Sequence, residues 1–124
     1  EEYGRIGSHW LMNENPDIAD EINLNHQFIV QLDRKNDKDF KCYSVGTDEF
    51  RTYVKNTTGY LEPDLLSYTD IVTLCRDVCG VNLSVGYHNQ HTEDEYLVIK
   101  EWENTLNMCH RWLSESELPH FGLK

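Results

Sequence analysis

Carboxylates at the start of the chain and an imidazole far downstream are the residues best suited to catalysis. Glu1 and Glu2 are adjacent, Asp33 ends an apolar run, and His91 stands in a polar segment. Carboxylate oxygens and imidazole nitrogens suit zinc, cobalt or manganese. Adjacent side chains on an extended segment point to opposite sides, so one glutamate can hold a metal ion while the other faces the reacting water. The pattern favours metal-assisted hydrolysis.

Hydrophobic periodicity predicts the elements that would position these residues. Helices are predicted at 4–13, 47–56, 67–78 and 97–113, with a short helical piece in 16–25, and strands at 26–33, 40–45 and 81–86. This mixture predicts the α/β class, with a mixed sheet flanked by helices. Functional groups of open α/β sheets gather at the carboxyl ends of strands, which is where Asp33 and the loop of His91 fall. Three strands make a narrow sheet, so we expect it to be incomplete.

Several finer expectations follow from local patterns. Ser8 and Thr47 are predicted to cap the helices that begin near them. The second strand is expected to follow the first as a hairpin or near neighbour. The last helix is expected to bury one stripe of side chains and to make both of its tryptophans core candidates; the stripe is Val98, Trp102, Leu106, Cys109 and Leu113.

The composition is that of a globular domain with a strong acidic excess. The 124 residues are 39% hydrophobic and carry a formal net charge of −11. This charge repels phosphate backbones and argues against nucleic-acid binding. No apolar run approaches the roughly 18 residues of a membrane-spanning helix. We therefore predict one domain over residues 1–113, followed by an irregular, loosely held tail over 114–124.

The four cysteines are interpreted as buried free thiols of a cytoplasmic protein. They are Cys42, Cys75, Cys79 and Cys109, and all lie in apolar stretches. An even count also allows a disulfide framework. Cys75 and Cys79 are predicted to share one helix face, where a structural zinc pair is an alternative that lacks a second close pair.

The order of these residues resembles that of the co-catalytic two-zinc aminopeptidases of the leucyl-aminopeptidase kind and their carboxypeptidase and tripeptidase relatives. That family orders its ligands as His, bridging Asp, Glu, Asp and His, with the Glu ligand directly after a glutamate that acts as general base. The motifs that carry the resemblance are Glu-Glu-x-Gly-x-x-Gly from position 1, the strand-end Asp33, and His-Thr-x-x-Glu-Tyr from His91. The resemblance covers residues 1 to about 113.

The resemblance implies a role for each matching residue. Glu1 is the general base, and Glu2, Asp33 and His91 are metal ligands of a site for two zinc ions. Asp70 matches a Ser-Asp loop beside the substrate pocket. Two further residues are candidates at the same site, Tyr87 as a pocket wall and Glu95 as a partner that orients the histidine.

The first His and the bridging Asp of the family pattern precede the glutamate pair and have no counterpart here. We therefore expect the C-terminal portion of a zinc metallopeptidase, most simply an aminopeptidase, that is inactive alone. Its expected partners are a peptide substrate and a missing N-terminal half or complementing chain, with oligomerisation open. The alternative is a catalytically incomplete structural or binding subunit of a larger assembly that retains the peptidase fold.

Each candidate also has an ordinary interpretation. A glutamate pair at a helix start interacts favourably with the helix dipole. A strand-end aspartate commonly serves a turn, and a loop histidine is more often a surface residue than a ligand. His88 is a rival for the ligand role of His91. The joint order of the motifs favours the metal site over these separate explanations.

Overall fold

A computed structural model describes residues 4–63 and 69–123. The chain runs through five helices and five strands in these residues. They are α1 (Ile6–Glu14), α2 (Pro16–Leu24), β1 (Ile29–Arg34), β2 (Phe40–Lys41), α3 (Asp48–Thr58), α4 (Asp70–Leu74), β3 (Gly80–Ser84), β4 (Tyr87–His88), β5 (Tyr96–Leu97) and α5 (Ile99–Leu113). The predicted α/β class is confirmed.

Three strands form a mixed sheet in the order β1-β3-β2. β1 pairs with β3 in parallel, and β2 pairs with β3 antiparallel. The predicted mixed sheet is therefore correct. β2 is a near neighbour of β1, as expected, but the two strands form no hairpin because β3 lies between them. Every residue of β3 is buried, including the polar Asn82 and Ser84, as its central position in the sheet requires.

One face of the sheet packs against α3, α5 and the tail. Phe28 stacks on Trp112 with ring centroids 5.2 Å apart, and Phe50 and Phe121 join the same cluster. The indole Nε1 of Trp112 donates to the Tyr53 hydroxyl at 2.8 Å. This aromatic cluster fixes the long helix against the sheet and leaves the loops after the strands at one end.

The stripe predicted for α5 has the wrong phase. The buried residues are Thr105, Met108, Cys109 and Trp112, whereas Trp102, Leu106 and Leu113 are exposed. The period was correctly recognised, but Thr105 was not expected inside. Its hydroxyl is satisfied there by the Ser84 carbonyl at 2.8 Å and the Tyr60 hydroxyl, so a polar residue occupies a buried position.

The tail is irregular, as predicted, but it is not loosely held. Phe121 donates its N–H to the Gln27 carbonyl at 2.9 Å, and its own carbonyl accepts from Cys79 at 3.0 Å. Leu118, Phe121 and Leu123 pack against the core. The tail therefore completes the core beside β1 and β3.

The sequence signals identify both ends of α3 correctly but not the start of α1. Thr47 caps α3 through a bond from the Phe50 N–H, and Gly59 ends that helix in the left-handed region at φ 76°. Ser8, by contrast, lies inside α1, whose N-cap is Arg5. The Ser8 hydroxyl instead donates to Asp70 at 2.8 Å and joins α1 to α4.

The helix predicted at 67–78 is shorter, because α4 ends at Leu74 and Cys75 adopts an extended conformation. Cys75 and Cys79 are therefore not on one helix face. All four cysteines are buried free thiols. None of the helices in the described part of the chain is long and apolar enough to cross a bilayer.

Candidate functional site

The end of β1 carries Asp33 on an irregular stretch of strand. The pairing with β3 shifts between Gln31 and Arg34, which is the signature of a β-bulge. The Asp33 N–H donates to Asn82 Oδ1 at 2.9 Å instead of joining the ladder. Bulges commonly re-aim side chains beside functional sites, and here the Asp33 side chain is exposed at the strand end.

His91 lies at the tip of a second small sheet. β4 and β5 pair antiparallel, with Tyr87 opposite Leu97 and His88 opposite Tyr96. Within the connecting loop, Thr92 Oγ1 donates to the Asn89 carbonyl at 2.6 Å. His91 has a φ of 62°, a left-handed conformation that only a few per cent of non-glycine residues adopt. The loop therefore holds His91 in an uncommon backbone geometry.

These two loops face each other across a cleft of about 420 Å³. Its lining residues are Asp33, Tyr87, His91, Glu95, Tyr96 and Leu97. The Tyr87 hydroxyl donates to the Asp33 carbonyl at 2.9 Å and joins the hairpin to the end of β1. Four residues singled out in the sequence thus share one cleft.

Tyr87 is the residue whose ionisation the cleft changes. Burial raises the pKa of its phenol, and the negative charges of Asp33 and Glu95 raise it further, while Arg34 lowers it. Tyr87 therefore stays protonated through neutral and mildly alkaline pH, and can donate a hydrogen bond inside the cleft.

Glu95 and His88 have different partners in the structure. Glu95 Oε1 accepts from the backbone N–H of His91 at 3.3 Å, so it supports the loop as well as the cleft wall. His88 Nε2 lies 2.6 Å from Glu101 Oε1, and its ring stacks on Tyr96 at 5.1 Å. The rival histidine thus interacts with α5, and His91 is the histidine that lines the cleft.

Asp70 lies away from the residues that line this cleft. It begins α4, and its carboxylate accepts from the Ser8 hydroxyl. Glu1 and Glu2 lie outside the described residues, as do Ser67 and Tyr68 of the predicted Ser-Asp loop. Within residues 4–63 and 69–123, no group of three His, Cys, Asp or Glu side chains is arranged to hold a metal ion.

The sequence analysis did not single out Arg34, the residue after Asp33. Its side chain is only 6% exposed, and its Nε and Nη2 atoms are buried without a hydrogen-bond partner in the described parts of the chain. A charged cluster after a strand normally predicts a solvated turn. Its burial depends on the bulge in β1, and no residue type in this segment announces that bulge.

Comparisons with protein families, with curated proteins and with solved structures found no match. The function is therefore inferred from the geometry of the cleft and from the order of residues along the chain. Asp33 and His91 supply a carboxylate and an imidazole to that cleft, a donor set suited to a borderline metal ion.

Proposed function

We propose that this chain is the C-terminal portion of a metal-dependent exopeptidase, an aminopeptidase in its simplest form. The observation that carries the proposal is the shared cleft of Asp33 and His91, which are far apart in the sequence. The zinc-exopeptidase-like fold is part of the same proposal and is supported by the strand-end position of Asp33 and by the mixed sheet.

The donor chemistry fits zinc, with cobalt or manganese as substitutes. Glu2 and His91 would hold one ion and Asp33 the other, with the remaining ligands supplied by an N-terminal half or a complementing chain. Zinc held by these residues would supply an activated water and a polarised scissile carbonyl. Glu1 would act as the base that takes the proton of the attacking water and passes it to the leaving amine.

The other cleft residues suit a role in positioning a peptide. Tyr87 and Tyr96 offer aromatic surface, and Leu97 adds an apolar side chain. The phenol of Tyr87 remains a hydrogen-bond donor because its pKa is raised. The acidic pair Asp33 and Glu95 gives the cleft a negative potential that attracts cations and the amino end of a peptide.

Metal titration tests the site directly. Cobalt(II) absorption and zinc calorimetry should show at least tenfold weaker binding in Asp33→Asn and in His91→Ala than in the natural sequence. His110→Ala is the matched control, because His110 is an exposed histidine on α5. Equal metal affinity in the natural sequence, Asp33→Asn and His91→Ala would overturn the metal site.

Hydrolysis of amino-acid anilides tests the reaction. A longer parent protein, or this chain with its complementing polypeptide, should cleave them when zinc is present. Glu1→Gln should lower kcat by orders of magnitude while metal stays bound. Full turnover in that variant would remove Glu1 from the role of base.

The alternative, a structural or binding subunit of a larger assembly, is supported by a different surface. β1 is an edge strand in the described sheet, and Leu32 on it is 45% exposed. Leu32, Trp102 and Leu106 line a small hollow of about 120 Å³. An open edge beside apolar side chains favours pairing with another chain. Two tightly bound ions per isolated chain would contradict this alternative.

A further inference from the structure

The exposed side of α5 carries an apolar stripe of the kind that normally faces a core. Trp102, Leu106 and Leu113 follow one another at intervals of four and seven residues, so they share one side of the helix. Each of them is between 42% and 46% exposed. Single apolar side chains are common at protein surfaces, but a row of them on one helix side marks a site of interaction.

The free side of β1 lies beside this stripe. β3 is the only neighbour of β1 among the described strands, and Ile29 donates its N–H to Cys79 on that side at 2.9 Å. The backbone groups of successive strand residues alternate in direction, so those of Val30 and Leu32 point away from β3. An edge of this kind pairs readily with another extended chain.

Two hollows lie between this edge and α5, one at each of the two outward-facing residues. Leu32 shares a hollow of about 120 Å³ with Trp102 and Leu106. Val30 shares a second hollow, of about 500 Å³, with Leu113. Residues two apart on a strand project to the same face. A strand added beside β1 would therefore place alternate side chains over the two hollows.

The charges that border the edge indicate the chemistry of the partner. Gln27, just before β1, lines a hollow with Glu115 and Glu117, and both glutamates are exposed. Asp33 and Glu95 line the cleft at the other end of β1. The whole chain carries a formal net charge of −11. A second copy would bring the same negative charge to the edge, whereas a basic segment would be attracted to it.

The positive side chains of this region leave the start of β1 as its more acidic end. Arg34 and Lys35 follow Asp33 directly and offset the negative charge at the far end. Lys100 and Arg111 lie on the other side of α5 from the apolar stripe, because the helical repeat turns them away from it. The basic part of a partner is therefore expected beside the two glutamates near Gln27.

We propose that this edge binds an extended segment of another polypeptide as an added strand. The segment carries apolar side chains at alternate positions, which fill the two hollows, and a basic end that lies beside Glu115 and Glu117. The inference goes beyond the proposed function, because strand addition needs neither a metal ion nor turnover. It applies equally to a chain that completes a peptidase and to a partner in a larger assembly.

The probe is the synthetic peptide Lys-Lys-Thr-Val-Thr-Val-Thr-Val-Lys-Lys, capped at both ends and titrated into the metal-free chain by calorimetry at low salt. The matched ligand has glutamates in place of the lysines, and we expect it to bind about tenfold more weakly. The double replacement of Glu115→Gln and Glu117→Gln should weaken binding of the basic peptide severalfold, because it removes the charges that meet the basic end.

Leu106→Gln tests the apolar stripe and should weaken binding of the basic peptide about tenfold. Leu24→Gln is the matched control, because Leu24 is a more exposed leucine at the end of α2 and lines neither hollow. Equal losses in Leu106→Gln and Leu24→Gln would overturn the proposal. Equal binding of the basic and acidic peptides, or an absence of binding, would overturn it as well.

Hydrogen exchange followed by NMR shows whether the peptide binds as a strand. The amides of Val30 and Leu32 should exchange rapidly in the free chain and about tenfold more slowly when the peptide is bound. Protection of both amides in the free monomer would mean that the edge is already covered, and binding without protection would place the peptide elsewhere; either result overturns the proposal. Protection that grows with chain concentration alone would make a second copy the occupant instead. Because no metal is used, failure of the peptidase proposal gives a different result from failure of this one.

Discussion

Two arginines of this protein lie in opposite electrostatic surroundings. Arg51 donates Nε to Glu62 at 2.8 Å and its two terminal nitrogens to the carbonyls of Gly46 and Tyr43. Arg34 is more buried, yet its Nε and Nη2 have no partner in the described residues. A fully bonded guanidinium holds loops together, whereas a buried one without such bonds destabilises a fold. The difference separates a region whose charges are paired from one where two guanidinium nitrogens have no partner within residues 4–63 and 69–123.

The Arg51 cluster consists of Arg51, Glu62, Cys42, Tyr43 and Gly46. Glu62 also accepts from the Cys42 N–H at 2.6 Å, so one carboxylate joins the segment after β2 to the segment after α3. A Cβ on Gly46 would lie 2.4 Å from that of Cys42, so the backbone approach requires glycine. The hydrogen bonds of Arg51 and Glu62 and the close backbone approach at Gly46 thus occur in the same cluster.

The largest effect is expected from breaking this cluster. Arg51→Met should lower the free energy of unfolding by about 2 kcal/mol, because it leaves Glu62 and two carbonyls without their charged donor. Urea denaturation measures the change. Arg76→Met is the control, since the exposed Arg76 pairs with Asp20 and Asp77 at the surface and its replacement should have little effect. Similar urea midpoints for Arg51→Met and the natural sequence would show that the bonds of Arg51 do not stabilise the fold.

A second, smaller effect is expected from pH. Burial and the nearby Glu62 charge raise the pKa of Cys42 to about 12, whereas the thiol of an unfolded chain ionises near 9.0. Between these values the unfolded chain has released a proton that the folded protein retains. The contribution of Cys42 to stability is therefore complete below pH 9 and is lost as pH rises towards 12, by about 1.4 kcal/mol per pH unit.

Urea denaturation at several pH values between 8 and 10.5 measures this slope. Cys42→Ala should reduce the slope above pH 9. Cys109→Ala serves as comparison, because burial raises its pKa in the same direction but no neighbouring carboxylate adds to the shift. An unchanged slope in Cys42→Ala would mean that its thiol does not set the alkaline limit.

The sequence predicted the elements of this fold better than it predicted their polar interiors. Thr47 and Gly59 identify the ends of α3 because capping and left-handed termination depend on a single residue type. The phase of α5 failed at Thr105, whose burial depends on hydrogen-bond partners from β3 and from Tyr60, after α3, that local periodicity does not reveal. The anchoring of the tail failed for the same reason, since its bonds reach Gln27 and Cys79 far along the chain.

The residues of the candidate site show the same difference between what local sequence reveals and what long-range pairing determines. Asp33 and His91 were recognisable from residue type and order, and they line one cleft. Arg34 was not recognisable, because its burial arises from a register shift between two strands that are distant in sequence. Long-range pairing, and not residue type, therefore determines which charged side chains near the cleft lose contact with water.

The smallest effect, and the one that sharpens the comparison most, is expected for Arg34→Met. Methionine keeps much of the aliphatic stem and removes a buried charge that forms no ion pair within the described residues, so stability should be unchanged or rise by about 1 kcal/mol. The same urea experiment measures it, with Arg51→Met alongside. If Arg34→Met instead lost as much as Arg51→Met, then Arg34 would be a structural residue like Arg51. A gain in stability would instead show that burial of the Arg34 charge destabilises the fold.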